Sequence, residues 1–145
     1  AADSEAGTPD LSLYYSPDSL YRMAEEYGPQ GRNDYVVARF TFDLVWPVVY
    51  TLFLATSISW ISTRASPSGS WLQRANLTPL LGMLFDYLEN ISTSLVMLRY
   101  PAQTPLIDSL APLFTLLKWL FIAASFALLL LVGIVSYLFR RVRHT

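Results

Sequence analysis

Leu81-Gly82-Met83-Leu84-Phe85-Asp86-Tyr87-Leu88-Glu89-Asn90-Ile91-Ser92-Thr93-Ser94-Leu95-Val96-Met97 decides how the rest of the chain is read. The stretch is apolar and long enough to sit in a bilayer, yet two carboxylates and an amide lie at its centre. Asp86, Glu89, Asn90, Thr93 and Met97 recur at offsets of three, four, seven and eleven, which on an α-helix is one continuous face. A charged side chain at the middle of a membrane helix costs about 2.5–3.5 kcal/mol on insertion scales. That face is therefore expected to meet protein or water rather than lipid. The reading of the chain turns on what lies opposite Asp86 and Glu89.

The 145 residues are 53% hydrophobic and 14% charged, about half the charged share of an average soluble domain. Such a balance places apolar surface against lipid. The fold class expected is all-α, a transmembrane helical bundle with three spans plus a short external amphipathic helix. A net charge of −1 gives no broad basic surface for nucleic acid. The chain has no cysteine, which excludes disulfides, thiolate catalysis and thiolate metal sites. The single histidine, His144, lies in a basic tail, so zinc or haem ligation by histidine within this chain is not expected. No nucleophile elbow, phosphate loop or dinucleotide fingerprint occurs. The sequence therefore assigns no catalytic residue and no cofactor. The chain opens at Ala1 rather than Met, and a signal segment or a further hydrophobic helix upstream is the expectation.

From the N-terminus, residues 1–34 read as an external segment. Ala1 to Leu13 is polar and acidic. Ser16 is a good N-cap, Pro17 suits the first helical position, and Tyr15 with Leu20 form a hydrophobic staple. A short amphipathic helix over 17–27 is expected, with Leu20, Met23, Ala24 and Tyr27 as its apolar stripe. Gly28 and Pro29 end it. It would pack on the ends of the membrane helices or serve as a lid. Gly31 to Asp34 reads as a turn, and 35–145 as the transmembrane domain.

The first span is expected over 36–61, interrupted only by Arg39 and Asp43, which are four apart and can pair. Pro47 removes the helical bond to the Asp43 carbonyl, so a kink is expected there. A short loop, Ser62 to Asn76, carries Ser66-Pro67-Ser68-Gly69, Arg64 and Arg74, bracketed by Trp60 and Trp71 as interface anchors. The second span is 77–98, closed by Arg99-Tyr100-Pro101, and Ala102 to Ser109 connects it to the third. That third span, 110–139, is broken only by Lys118. At about 1.5 Å per residue it would be about 45 Å long, against a hydrocarbon core of about 30 Å. It must tilt or project.

Arg64 and Arg74 in the first loop and Arg140, Arg141 and Arg143 in the tail fall on one side after three spans. The positive-inside rule makes that side cytoplasmic. The N-terminal segment, with seven acids before Tyr35 against Arg22 and Arg32, is then external or periplasmic. Counted inward from the outer helix ends at about 1.5 Å per residue, Asp43, Asp86, Glu89 and Lys118 all lie about 11–18 Å deep. They are expected to meet, with Lys118 neutralising one carboxylate and Arg39 reaching Asp43. An acid is left over. A proton, a cation, a water-filled cavity or a partner chain would answer it. A hard cation held through carboxylate oxygens is the weaker option, because no metal-loop spacing is present. Asn90-Ile91-Ser92 matches a glycosylation triplet by chance, since membrane burial hides it. Trp46 and Trp119 read as packing residues.

Tyr15-Ser16-Pro17, Leu20-Tyr21, Tyr27-Gly28, Gly31-Arg32, Tyr35, the Asp43 to Tyr50 stretch, Phe85-Asp86-Tyr87-Leu88-Glu89-Asn90, Arg99-Tyr100-Pro101 and Leu117-Lys118-Trp119 carry a likeness. On these residues the chain resembles a family of small, uncharacterised bacterial integral membrane proteins with four spans. The likeness covers Tyr15 to about Phe139, and the family's first span would lie upstream of Ala1. It implies a bacterial inner-membrane location and one shared site for the polar residues, but no particular activity. Two functions fit. The first is a non-enzymatic accessory subunit packed against a larger membrane complex, since a three-helix bundle has little interior of its own. Other membrane subunits, lipid or a second copy of the chain are the expected partners. The second is a small membrane enzyme or transporter using Asp43, Asp86, Glu89 and Lys118 on an ion, a proton or a lipid-like substrate, one carboxyl as acid and another as base.

Overall fold

The computed structural model describes residues 7–9, 12–65 and 75–143. Trp71, Arg74 and the Ser66–Gly69 segment of the first loop, His144 and most of the acidic lead-in lie outside the described residues. Within them the chain is helical and contains no strand: α1 (Pro17–Arg39), α2 (Phe42–Ala65), a 3₁₀ turn (Ala75–Leu77), α3 (Thr78–Arg99) and α4 (Pro105–Arg143).

The start of α1 follows its sequence signals. The Ser16 side chain accepts from the Ser19 backbone N–H at 3.1 Å, Pro17 occupies the first turn, and Leu20, Met23 and Ala24 are buried. The expected stop at Gly28 is realised as a break, with φ 63° and ψ 178°, a combination essentially confined to glycine. The helix does not end there. It resumes at Pro29, and Gly31 to Asp34 is helical rather than a turn. Two bonds hold the resumed segment. Arg32 reaches back to the Ala24 carbonyl at 2.7 Å, in the turn before the break. Gln30 donates to Asp34 at 2.8 Å. The Arg32 guanidinium also lies 4.8 Å from the centre of the Tyr100 ring. The boundary read at 34/35 thus falls inside α1.

A second correction lies in the stretch expected as one helix over 36–61. The chain turns at Phe40–Thr41, and α2 begins at Phe42. The Thr41 hydroxyl bonds the Val37 carbonyl at 2.7 Å, a local bond that competes with the helical ladder. Asp43 then sits in the first turn of α2, where a carboxylate suits the positive end of the helix dipole. The helix runs on through Pro47. An outside donor arrives one residue beyond the carbonyl that Pro47 frees: the Tyr87 hydroxyl bonds the Leu44 carbonyl at 2.8 Å.

The α3 bounds match the expected 77–98 to within a residue. By contrast, α4 starts at Pro105, five residues before the expected 110. The reason is a contact across the chain. The Tyr21 hydroxyl accepts from the Thr104 backbone N–H at 2.7 Å and donates to the Asp108 carboxylate at 2.8 Å. One phenol so fixes the first turn of α4.

Helices α3 and α4 pack closely. A Cβ at Gly82 would stand 3.3 Å from a side-chain carbon of Ile122, and Phe85 stacks on Phe121 with ring centres 5.5 Å apart. The first half of α1 lies across the end of this pair. There Tyr15, Leu20, Met23, Ala24 and Tyr35 form a cluster with Val96, Met97 and Ala111. Two helical stretches, Pro17–Thr63 and Pro105–Leu138, are long and apolar enough to cross a membrane. Only 22% and 17% of their most apolar windows are buried, the reverse of a soluble core helix. On α3 the distribution is inverted. Asp86, Glu89, Asn90, Thr93 and Ser94 face inward, while Leu80, Leu81, Leu84, Ile91 and Leu98 are exposed.

Candidate functional site

The predicted face of α3 is the floor of the site. Asp86, Glu89, Asn90, Thr93 and Met97 are all buried. Glu89 is fully enclosed and ion-pairs through Oε2 with Lys118 of α4. Its other oxygen accepts from the Thr115 hydroxyl at 2.6 Å. Thr115 lies one turn before Lys118, so both reach Glu89 from the same face of α4. Its single proton serves the carboxylate, the closest of three acceptors, and the Tyr15 hydroxyl stands 3.2 Å away on the far side. Burial raises the Tyr15 phenol well above its ordinary value.

Asp86 lies one turn before Glu89. Its Oδ1 is 3.8 Å from Lys118 Nζ and its Oδ2 accepts from the Tyr50 hydroxyl at 3.0 Å. Lys118 thus meets two carboxylates where one was expected. Its ammonium is also 5.5 Å from the Trp119 ring centre. Across the α1–α2 turn, Arg39 pairs with Asp43 as its spacing suggested, and lies 4.5 Å from the Tyr35 ring centre. The Tyr35 hydroxyl donates to Thr93 at 3.1 Å. Residues from α1, α2, α3 and α4 so meet in one polar centre.

Asn90 shares this face without joining the bonding. Both atoms of its amide are buried with no hydrogen-bond partner among the described residues. That burial also removes it as a glycosylation acceptor. The resemblance included Tyr15, Tyr35 and Tyr50 without giving their hydroxyls a partner, and Thr115 was not anticipated as a member. Two of them carried a signal: Thr115 is three residues before Lys118, and Tyr50 is seven after Asp43, each on the face of a charge already singled out.

Beside the polar centre is a cleft of about 590 Å³ between α2 and α4. Its charged lining is Arg39, Asp43, Asp86 and Lys118. Phe42, Trp46, Trp119, Ile122 and Phe126 form its apolar walls, and Thr8 also touches it. Phe42 and Trp46 stack with ring centres 6.3 Å apart. Both are more than half exposed, and Phe126 nearly so. They form an apolar rim around an ionic floor. Among the described residues no three of His, Cys, Asp and Glu converge as metal ligands would. Each carboxylate of the centre is answered by a cation or a hydroxyl.

Fold and site together define an all-helical chain with an ionic interior and two helical stretches long enough to cross a membrane. No family profile, curated protein or solved structure matches the chain.

Proposed function

We propose that this is a multi-pass protein of a bacterial inner membrane that holds an amphiphilic molecule in the cleft between α2 and α4. The head group would lie at Asp86 and Lys118 and the chain between Trp46 and Phe126. The observation that carries the reading is the cleft itself, ionic at the floor and apolar at the rim. In water such a rim would be a liability; against lipid it is an entrance. In this reading α2, α3 and α4 are the three spans and the first half of α1 lies outside them. The apolar outer face of α3 supports its place as a span, since its carboxylates have protein partners. The N-terminus is external and the C-terminus cytoplasmic, following the arginine distribution.

A second reading, a non-enzymatic accessory subunit of a larger membrane complex, is favoured by one observation. The 39 residues of α4 extend about 58 Å at about 1.5 Å per residue, well beyond a hydrocarbon core of about 30 Å. Leu130, Leu131, Ile134, Tyr137 and Leu138 are exposed along its second half. Weighing the intact particle by native mass spectrometry, after purification at native expression level in mild detergent, separates the two. A single chain carrying a bound amphiphile is expected. A stoichiometric complex with other subunits would favour the second reading. A bare chain without ligand or partner would overturn both.

A further inference from the structure

We infer that the amphiphile held in this cleft carries an ammonium head group. The inference rests on the cleft reading above and names the chemistry of its ligand. Three features point the same way.

The first is charge. Among the described residues the polar centre contains three carboxylates, Asp43, Asp86 and Glu89, against two cations, Arg39 and Lys118. Lys118 is shared between Glu89 and Asp86, in contact with the first and 3.8 Å from the second. With every group ionised the centre carries one negative charge in excess, in surroundings that penalise an uncompensated charge. One added cation balances it.

The second is access. Glu89 is fully enclosed and Asp43 is engaged by Arg39. Asp86 lines the cleft and has an oxygen, Oδ1, without a close hydrogen-bond donor among the described residues; the same holds for Asp43, whose other oxygen is taken by Arg39. The nearest cation to Asp86 is at 3.8 Å from Oδ1, and Oδ2 is taken by Tyr50. A head group entering the cleft therefore meets a carboxylate oxygen with acceptor capacity left.

The third is the wall. Phe42, Trp46, Tyr50 and Trp119 line the same cleft as Asp86. Aromatic faces attract cations through their quadrupole, and aromatic-lined sites with a carboxylate suit ammonium groups in particular. An anionic head group would meet Asp86 and Asp43 with no cation spared from a carboxylate. A neutral one would leave the excess charge to be met by a proton alone.

Native mass spectrometry of the full chain in non-ionic maltoside micelles tests this with three probes of equal chain length. They are dodecyltrimethylammonium, dodecyl sulfate and a dodecyl glucoside. A 1:1 adduct with the ammonium probe is expected at concentrations at least tenfold below those at which either of the others binds. Asp86→Asn should weaken that adduct by tenfold or more. Trp46→Leu, at the exposed rim where folding is not at stake, should weaken it severalfold and keeps the test open if Asp86→Asn does not fold. Equal binding of the sulfate or the glucoside, or unchanged ammonium binding in both variants, overturns the ammonium assignment while leaving the cleft as a binding site. Binding of none of the three overturns the cleft reading and the inference with it.

Discussion

Lys118 ion-pairs with Glu89 and also faces Asp86, one helical turn earlier on the same helix. One ammonium from α4 so answers two carboxylates from α3. Lys118→Met is expected to be among the most damaging single changes in the chain, because it leaves the fully enclosed Glu89 without its counter-charge. Breaking a buried pair in this way costs about 3–5 kcal/mol. Thermal unfolding in detergent should show a large loss, partly recovered by adding Glu89→Gln. Equal melting of wild type and Lys118→Met would mean that the pair contributes nothing.

Thr115→Val removes the hydroxyl between Glu89 and Tyr15 with little change of shape. Intramembrane hydrogen bonds average about 0.6 kcal/mol, while bonds to charged acceptors reach about 1.5–3 kcal/mol. A loss of about 1–2 kcal/mol is expected, lying between those limits. Thr115→Ser should retain most of the stability. Denaturation in mixed micelles compares the two directly, and equal losses would assign the effect to packing rather than to the hydroxyl.

Tyr21→Phe tests why α4 begins where it does. The phenol holds the Thr104 N–H and the Asp108 carboxylate. Without it the first turn of α4 should fray, with little effect beyond Pro112. Hydrogen exchange is the readout: faster exchange confined to residues 104–108 is expected, and unchanged protection there would show that Pro105 and Asp108 suffice alone.

Gly28→Ala tests the break in α1. With φ 63° and ψ 178° and nothing within 4 Å of an added Cβ, the penalty is backbone strain alone, about 1–3 kcal/mol. Loss of the docked first half of α1 is expected, visible as new proteolysis between Pro17 and Gly28. A variant as resistant as wild type would show that the left-handed conformation is not needed to dock α1.

Much of this centre was legible in the sequence because helical spacing reports faces. The stripe from Asp86 to Met97, the counter-charge at Lys118 and the Arg39–Asp43 pair all follow from offsets of three and four. What spacing does not report is the partner of a hydroxyl. Tyr21 and Asp108 are 87 positions apart and Tyr15 and Thr115 are 100 apart, and nothing local in either residue marks the other. The same blindness moved the helix boundaries. Gly28-Pro29 is a strong stop signal, yet Arg32 and Gln30 supply the bonds that restart the helix. Phe40–Thr41 carries no such signal and still turns. Asn90 shows the limit from the other side: spacing placed it on the right face, but not in a bond.

The pairing of Glu89 with Lys118 also bears on how the chain is made. Synthesis produces α3 before α4, so for an interval the carboxylates of α3 have no ammonium to meet. A helix in that condition is a poor candidate for release into lipid. The counter-charge of Glu89 is supplied by a segment made later, so the folded state of α3 depends on α4. The order of residues along the chain thus becomes an order of events: the ionic centre of α3 is complete only once the segment carrying the shared lysine has been made.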